Sequence, residues 1–333
     1  MQMTRRTRLW LWLNNLVLAA AFLAVLVLIA WLSTRYVFEA DWSGARPVVY
    51  MASHGERDLQ GQSERDLGGF GGYLAEWGHR LEPLRVPDDG IPEEATLLVV
   101  AGPRGDWTEP ARDAVTDWLN NGGNLLWLVD DGDDRRLDFL ADALHIDILP
   151  GTLIDAEAEQ QLDLDEQQRP LVLNVQSRHP ALQRVEGESL FINARALELT
   201  DLQPEDWEVS QLLHSQQRHE LVQDNDPDAA DAAEPPGGYV LGLSFSRSLA
   251  DGNQQRVAVV GDADFLSNAH FRQGQNPDLG LHLVNWLSAG SAADQSLDLN
   301  RGQMVAMGVG FLLVLPGLWL LGAGWAWWRR RWG

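Results

Sequence analysis

Cysteine is absent from the 333 residues. Disulfides, thiolate metal sites and a cysteine nucleophile are excluded with it. Lysine is absent as well, so all 25 basic residues are arginine, set against 48 acidic residues for a net charge of −23. Such an acidic surface disfavours nucleic acid and anionic lipid headgroups as partners. The two ends of the chain in turn lack acid, because every Asp and Glu lies between Glu39 and Asp298. With arginine as the only cation, the acidic excess reads as the mark of a high-GC, salt-adapted organism whose solvated carboxylates keep the surface soluble. There is no G-x-S-x-G elbow for a serine nucleophile, no histidine pair at zinc-like spacing and no internal repeat.

What the ends have instead is length without charge. Residues 9–32 carry only Asn14 and Asn15 as polar interruptions, and residues 304–328 carry no charged side chain. Runs of this length predict two transmembrane helices, since ~20 apolar helical residues cross the hydrocarbon layer. Arg5, Arg6 and Arg8 precede the first run and Arg329, Arg330 and Arg331 follow the second, which predicts cytoplasmic termini at 1–8 and 329–333. Residues 40–300 then form a periplasmic domain between two anchors in a bacterial inner membrane, the first anchor uncleaved. In the second run Ala306 and Gly310 form a small-xxx-small step, and Gly317 adds flat surface for packing against another helix.

The middle of the chain alternates strand and helix. Residues 47–52, 97–101 and 125–129 are short apolar runs of the kind buried in parallel sheets. Between them, 67–77 reads as a glycine-weakened helix. A second helix starts after Thr108, with Pro110 in its first turn, and stops at Gly122 and Gly123. Another follows at 135–144. The expected fold is α/β, a three-layer flavodoxin- or amidotransferase-like domain with a parallel sheet. Further strands are expected at 170–175, 207–213, 238–245 and 256–260, and a helix at 277–287 capped by Asn276. Residues 224–238 are acidic, proline-rich and without large apolar side chains, and predict a disordered loop.

The order of motifs is more specific than any one of them. LVVAGP (98–103), NNGGNLLWLVDD (120–131) and GTLID (151–155) come first, followed by SRHPAL (177–182), INARAL (192–197), VAVVGDADFLSN (257–268), LHLVNWL (281–287) and WWRRR (327–331). Together they resemble the extracytoplasmic domain of gliding-motility-type ABC transporter auxiliary proteins, over residues 46–331. The resemblance implies a class I glutamine-amidotransferase fold without catalysis, and as partners an ABC permease and its ATPase. It implies no cofactor. The chain is shorter than the longer relatives, lacking their further domain, so the role implied is that of a transport auxiliary.

Candidate site residues lie where parallel strands end, because α/β sheets bind ligands at that edge. In an amidotransferase-like fold the nucleophile would follow a buried strand at Ala101, Gly102 and Pro103, and none of these side chains can attack a carbonyl. Ser53 and His54 are sequence neighbours whose side chains are expected to point apart, as loop residues. Asp130 and Asp131, with Asp133 and Asp134, follow one strand, and Asp262 and Asp264 follow another, with Asn268 close behind. Carboxylate pairs can take Mg²⁺ or Ca²⁺. For Asp262 a structural part, accepting backbone N–H groups while Phe265 packs beneath the sheet, is the stronger expectation, and no metal site is assigned. His179 and His270 are expected in turns or at the surface. Three readings follow: a noncatalytic transport auxiliary, a metal-dependent envelope hydrolase working through Asp262 and Asp264, and a structural or sensing envelope protein.

Overall fold

A computed structural model of the chain describes residues 47–289 except 86–89, 131–132, 163, 165–167, 201–205, 217 and 223–237, together with 328 and 331. Everything below concerns the unit spanning Ser43–Asp294. The expected loop at 224–238 lies almost wholly outside the described residues.

The elements run β1 (Pro47–Met51), α1 (Gly68–Glu76), β2 (Arg80–Leu84), β3 (Leu97–Ala101), α2 (Glu109–Asn120), β4 (Leu125–Leu128), α3 (Asp133–Arg136), α4 (Asp138–Leu144), β5 (Ile146–Ile148), β6 (Thr152–Ile154) and α5 (Ala156–Gln161). They continue as β7 (Pro170–Val175), β8 (Gly187–Ile192), β9 (Leu197–Leu199), β10 (Glu208–His214), β11 (Glu220–Val222), β12 (Val240–Ser248), β13 (Gln254–Val260), a 3₁₀ turn at Asp264–Leu266 and α6 (Asn276–Ser288).

The main sheet has the order β2-β1-β3-β4-β13-β12-β9-β5, with β10 added to β12. From β2 to β13 every pairing is parallel, and from β13 onward every pairing is antiparallel. The expected parallel sheet is therefore corrected to a mixed one. The cause is local. β12 and β13 are joined by a short turn around Asp251 and Gly252, where Gly252 has φ +87° and Asn253 N–H donates to Asp251 Oδ1 at 3.0 Å, and strands joined so tightly must run antiparallel.

Strands of the parallel half alternate their side chains between two cores. Val48, Tyr50, Leu97, Val99, Leu126 and Val260 meet Phe70 and Leu74 of α1 and Leu279, Leu283 and Leu287 of α6. Val49, Met51, Leu98, Val100, Trp127 and Val259 meet Ala111, Val115 and Leu119 of α2 and Leu140 of α4 on the other face. Each fully buried leucine or phenylalanine contributes about 2 kcal/mol of transfer free energy, so both faces lock the strand ends in place.

The expectation of membrane spans needs correction too. Among the described residues no helix is long and apolar enough to cross a membrane. The longest, α6, has 13 residues, about 20 Å at 1.5 Å per residue against a ~30 Å hydrocarbon layer. Among the described residues the architecture is an α/β domain with a mixed sheet and no helix that could serve as either expected transmembrane span, and it gives no basis for the expected inner-membrane, two-span localisation. The segments 9–32 and 304–328, including Ala306, Gly310 and Gly317, lie outside the described residues.

Candidate functional site

After β1 the chain adds β2 on one side, then crosses to add β3 on the other, so the order of the sheet reverses at β1. In open α/β sheets the crevice outside the strand ends at such a reversal is the usual ligand position. The residues that gather there come from four parallel strands: Ser53 to Arg57 after β1, Gly102 and Pro103 after β3, Asp130 after β4, and Asp262 and Asp264 after β13.

Glu56 folds the first of these segments. Its Oε2 accepts the N–H groups of Ser53 at 2.9 Å and His54 at 2.7 Å, and Gly55 supplies the left-handed turn with φ +74°. The turn brings Arg57 N–H onto Ala101 O at 2.9 Å and aims its guanidinium across the strand ends. Arg57 Nε and Nη2 both donate to Asp130 Oδ2, at 3.0 and 2.7 Å, while Nη1 donates to Asp264 Oδ1 at 2.7 Å and to Arg65 O at 3.1 Å. The Arg57 side chain is only 3% exposed, its partners about a fifth. Burial alone would lower the arginine pKa, but the carboxylates of Asp130 and Asp264 together outweigh it and raise the pKa. Arg65 lies above, donating to Gly55 O, Gly102 O and Asp130 Oδ2. Gly102 has φ +48°, and a Cβ there would come within 2.4 Å of Asp130 Oδ2, so glycine is needed where β3 ends.

Asp262 is buried beneath this layer. Its Oδ1 accepts Asp264 N–H at 2.6 Å and its Oδ2 accepts Ile192 N–H at 2.9 Å. Burial and the neighbouring Asp264 charge push its carboxyl well above the ordinary range, against the opposing pull of those two backbone bonds. The 3₁₀ turn that follows seats Phe265 against Phe191, ring centroids 5.2 Å apart. Asn268 fastens the loop after β1: its Oδ1 accepts Gly69 N–H at 2.6 Å and its Nδ2 donates to Gly61 O and Ser63 O.

The acidic run after β4 does not converge. Asp133 is fully buried and accepts Asp130 N–H at 2.9 Å and Trp127 Nε1–H at 3.4 Å, with its pKa raised by burial, while Asp130 turns to Arg57. Asp131 lies outside the described residues. Among the described residues no three carboxylates or histidines converge as a metal site.

Ser53 and His54 do face one another, with Ser53 Oγ 2.8 Å from His54 Nδ1, which corrects the expectation that they point apart. Glu56 Oε1 approaches the same nitrogen at 3.4 Å. A proton relay needs serine and acid on opposite ring nitrogens, so this is a turn lock stacked on Trp107 at 5.2 Å and not a triad. His270 is buried, and its pKa is lowered by that burial.

Arg57 and Arg65 were missed in the sequence. Their signal is the repeated Glu-Arg-Asp triplet at 56–58 and 64–66, both just after β1. Away from this edge a cavity of about 540 Å³ lies at the opposite end of the strands, beside Trp118 and the Asn121–Asn124 turn. A second, of about 510 Å³, lies beside β10.

A family model described as a domain of unknown function (DUF4350) matches residues 69–284. No curated protein matches the chain. Among solved structures, the mmIFT52 N-terminal domain aligns with a TM-score of 0.51 at 13% identity, covering 73% of this chain and 98% of that one. A protein described as ThuA-like from Bacteroides uniformis aligns with a TM-score of 0.44 at 12% identity, covering 74% and 93%. At 13% identity the first likeness is one of fold.

Proposed function

We propose that this chain, which belongs to the family described as a domain of unknown function (DUF4350), is a noncatalytic subunit assisting an ABC-type transport system, by binding substrate or coupling to the permease. One observation carries the noncatalytic half. At the sheet reversal, where an α/β enzyme keeps space for its substrate, Arg57 is clamped between Asp130 and Asp264 with Arg65 above it. The strand edge is closed by the chain's own charges, and its one serine beside a histidine lacks a relay. The transport half rests on the ordered motifs from 98 to 287, among which GDADF places Asp262 and Asp264 in this structural layer.

A hydrolase using a cation at Asp262 and Asp264 is disfavoured by the same bonds. Both oxygens of Asp262 accept backbone N–H groups, and Asp264 Oδ1 is held by Arg57. The test has two arms. Affinity capture of the tagged full chain is expected to recover an ATPase and a permease, and recovery of neither overturns the transport role in favour of a structural or sensing protein. Ester, amide and phosphoester model substrates, offered with Mg²⁺ or Ca²⁺, are expected to remain intact. Turnover that Asp264→Asn abolishes would overturn the noncatalytic half.

A further inference from the structure

The SRHP segment at Ser177–Pro180 contributes nothing to the strand edge, yet it forms one wall of the 510 Å³ cavity whose other wall is β10. A volume of that size is within the range of small-molecule sites, about 300–1,000 Å³. Two features set this cavity apart from an accidental gap.

The first is the strand. Gln211 and His214 both line the cavity, although strict alternation would send residues three apart to opposite faces of the strand. The pairing of β10 with β12 shifts register between Gln211 and Leu213 and again between Leu213 and His214. Irregularities of this kind bend a strand and re-aim its side chains, and they concentrate beside functional sites.

The second is the state of the polar groups. His179 is held at both nitrogens, Nδ1 accepting Ala181 N–H at 3.2 Å and Nε2 facing Ser244 Oγ at 3.2 Å, while its ring stands edge-on to Trp286. Ser244 Oγ in turn donates to Ser210 O. The imidazole is therefore a neutral wall, and burial lowers its pKa further, with Arg256 and Glu208 acting from either side. By contrast, Gln176, Arg178, Gln211 and His214 are exposed at the mouth of the cavity, and their side chains have no hydrogen-bond or ion-pair partner among the described residues. Ser177 Oγ accepts His179 N–H at 3.2 Å and keeps its own proton to donate. Among the described residues the lining thus offers a guanidinium fork, a hydroxyl, two amides and an imidazole, and no carboxylate.

We propose that this cavity binds a small oxyanion, a carboxylate or phosphate group of a solute, with Arg178 as its charge partner and Ser177, Gln211 and His214 as further hydrogen-bond donors. A planar guanidinium suits either anion in a two-bond fork. The proposal does not rest on the transport role. Oxyanion binding without recovery of a transporter would remove only the partnership.

The test is titration of the full chain with inorganic phosphate and with acetate, read by calorimetry, with chloride at matched ionic strength as the control. Saturable heat beyond chloride is expected for at least one anion, and which of the two it is identifies the group recognised. Arg178→Gln is expected to weaken that binding at least tenfold and Gln211→Leu severalfold, while Arg104→Gln, at an exposed arginine beside the strand edge, leaves it unchanged. Absence of saturable heat, unaltered binding in Arg178→Gln, or loss in Arg104→Gln would each overturn the assignment. Arg178 is exposed and has no side-chain partner among the described residues, so its removal is expected to leave the fold intact, and unchanged thermal unfolding of the variant verifies this.

Discussion

The strand edge after β1 and the cavity beside β10 are both rich in polar side chains, and they differ in what those side chains touch. At the edge, Arg57 and Arg65 reach carboxylates and carbonyls of the chain itself, and Asp262 is closed off by two backbone donors. In the cavity, the exposed Arg178 guanidinium, the Gln176 and Gln211 amides and the His214 imidazole meet no partner among the described residues. Position in the fold alone would have nominated the edge. Hydrogen-bond occupancy points the other way, since polar groups satisfied internally stabilise and those left open at a concave surface recognise.

The contrast breaks most visibly at Arg57. Arg57→Met leaves Asp130 and Asp264 facing one another without their shared cation, and removing one member of a buried ionic cluster costs about 4 kcal/mol. Urea unfolding is expected to show that loss at neutral pH. A loss under 1 kcal/mol would mean that the edge is open enough for water to replace the arginine, and the two regions would then be alike.

Asp262→Ala comes next, at about 3 kcal/mol, because the N–H groups of Ile192 and Asp264 lose their acceptors in a buried site. Its pH dependence sharpens the reading. The folded carboxyl holds its proton to higher pH than the unfolded chain does, so between the unfolded value of about 3.9 and the raised folded value, stability falls as pH rises. The difference between the parent and Asp262→Ala should therefore widen towards acid. The parent's own curve also carries Asp133, whose pKa is raised, and His79, His179, His219 and His270, whose lowered pKa values act oppositely. Comparing the two proteins across pH by chemical denaturation cancels those other groups and leaves Asp262 together with the Asp264 charge beside it.

Gly102→Ala is expected to cost about 2 kcal/mol, combining a left-handed backbone with a Cβ forced against Asp130. Thermal unfolding should show it, and Gly252→Ala, with φ +87° but open space around it, should cost less. Equal costs would separate the glycine requirement from the ion-pair layer.

Much of the parallel half was legible, because β1, β3 and β4 are continuous apolar runs and a strand buried on both faces has no other appearance. β2 was not, since Arg80, Glu82 and Pro83 belong to a half-buried strand at the end of the sheet order. The Asp251-Gly252 pair carried the hairpin signal that would have turned the sheet antiparallel, and it was overlooked. Asn276 was read as a cap from the Asn-Pro pair. It is instead the first residue of α6 and fully buried, its amide bonding Leu190, Phe265 and His270, because tertiary partners outbid the local preference. The clamp was invisible for a different reason. Arg57 lies 73 residues from Asp130 and 207 from Asp264, and no local pattern encodes a contact that only the strand order creates.

The smallest expected effect is the most discriminating. Arg178→Gln should shift unfolding free energy by no more than about 0.5 kcal/mol, the range of surface substitutions that break no contact, whereas the same loss of an arginine at position 57 should be severalfold larger. Both changes remove one cation from a chain whose net charge is already −23, so global electrostatics shift alike in each. Any difference between them therefore reports the local partners alone. Were Arg178→Gln to destabilise the fold by more than 1 kcal/mol in urea, its guanidinium would have a structural partner. The cavity would then be a second self-satisfied polar layer, like the edge.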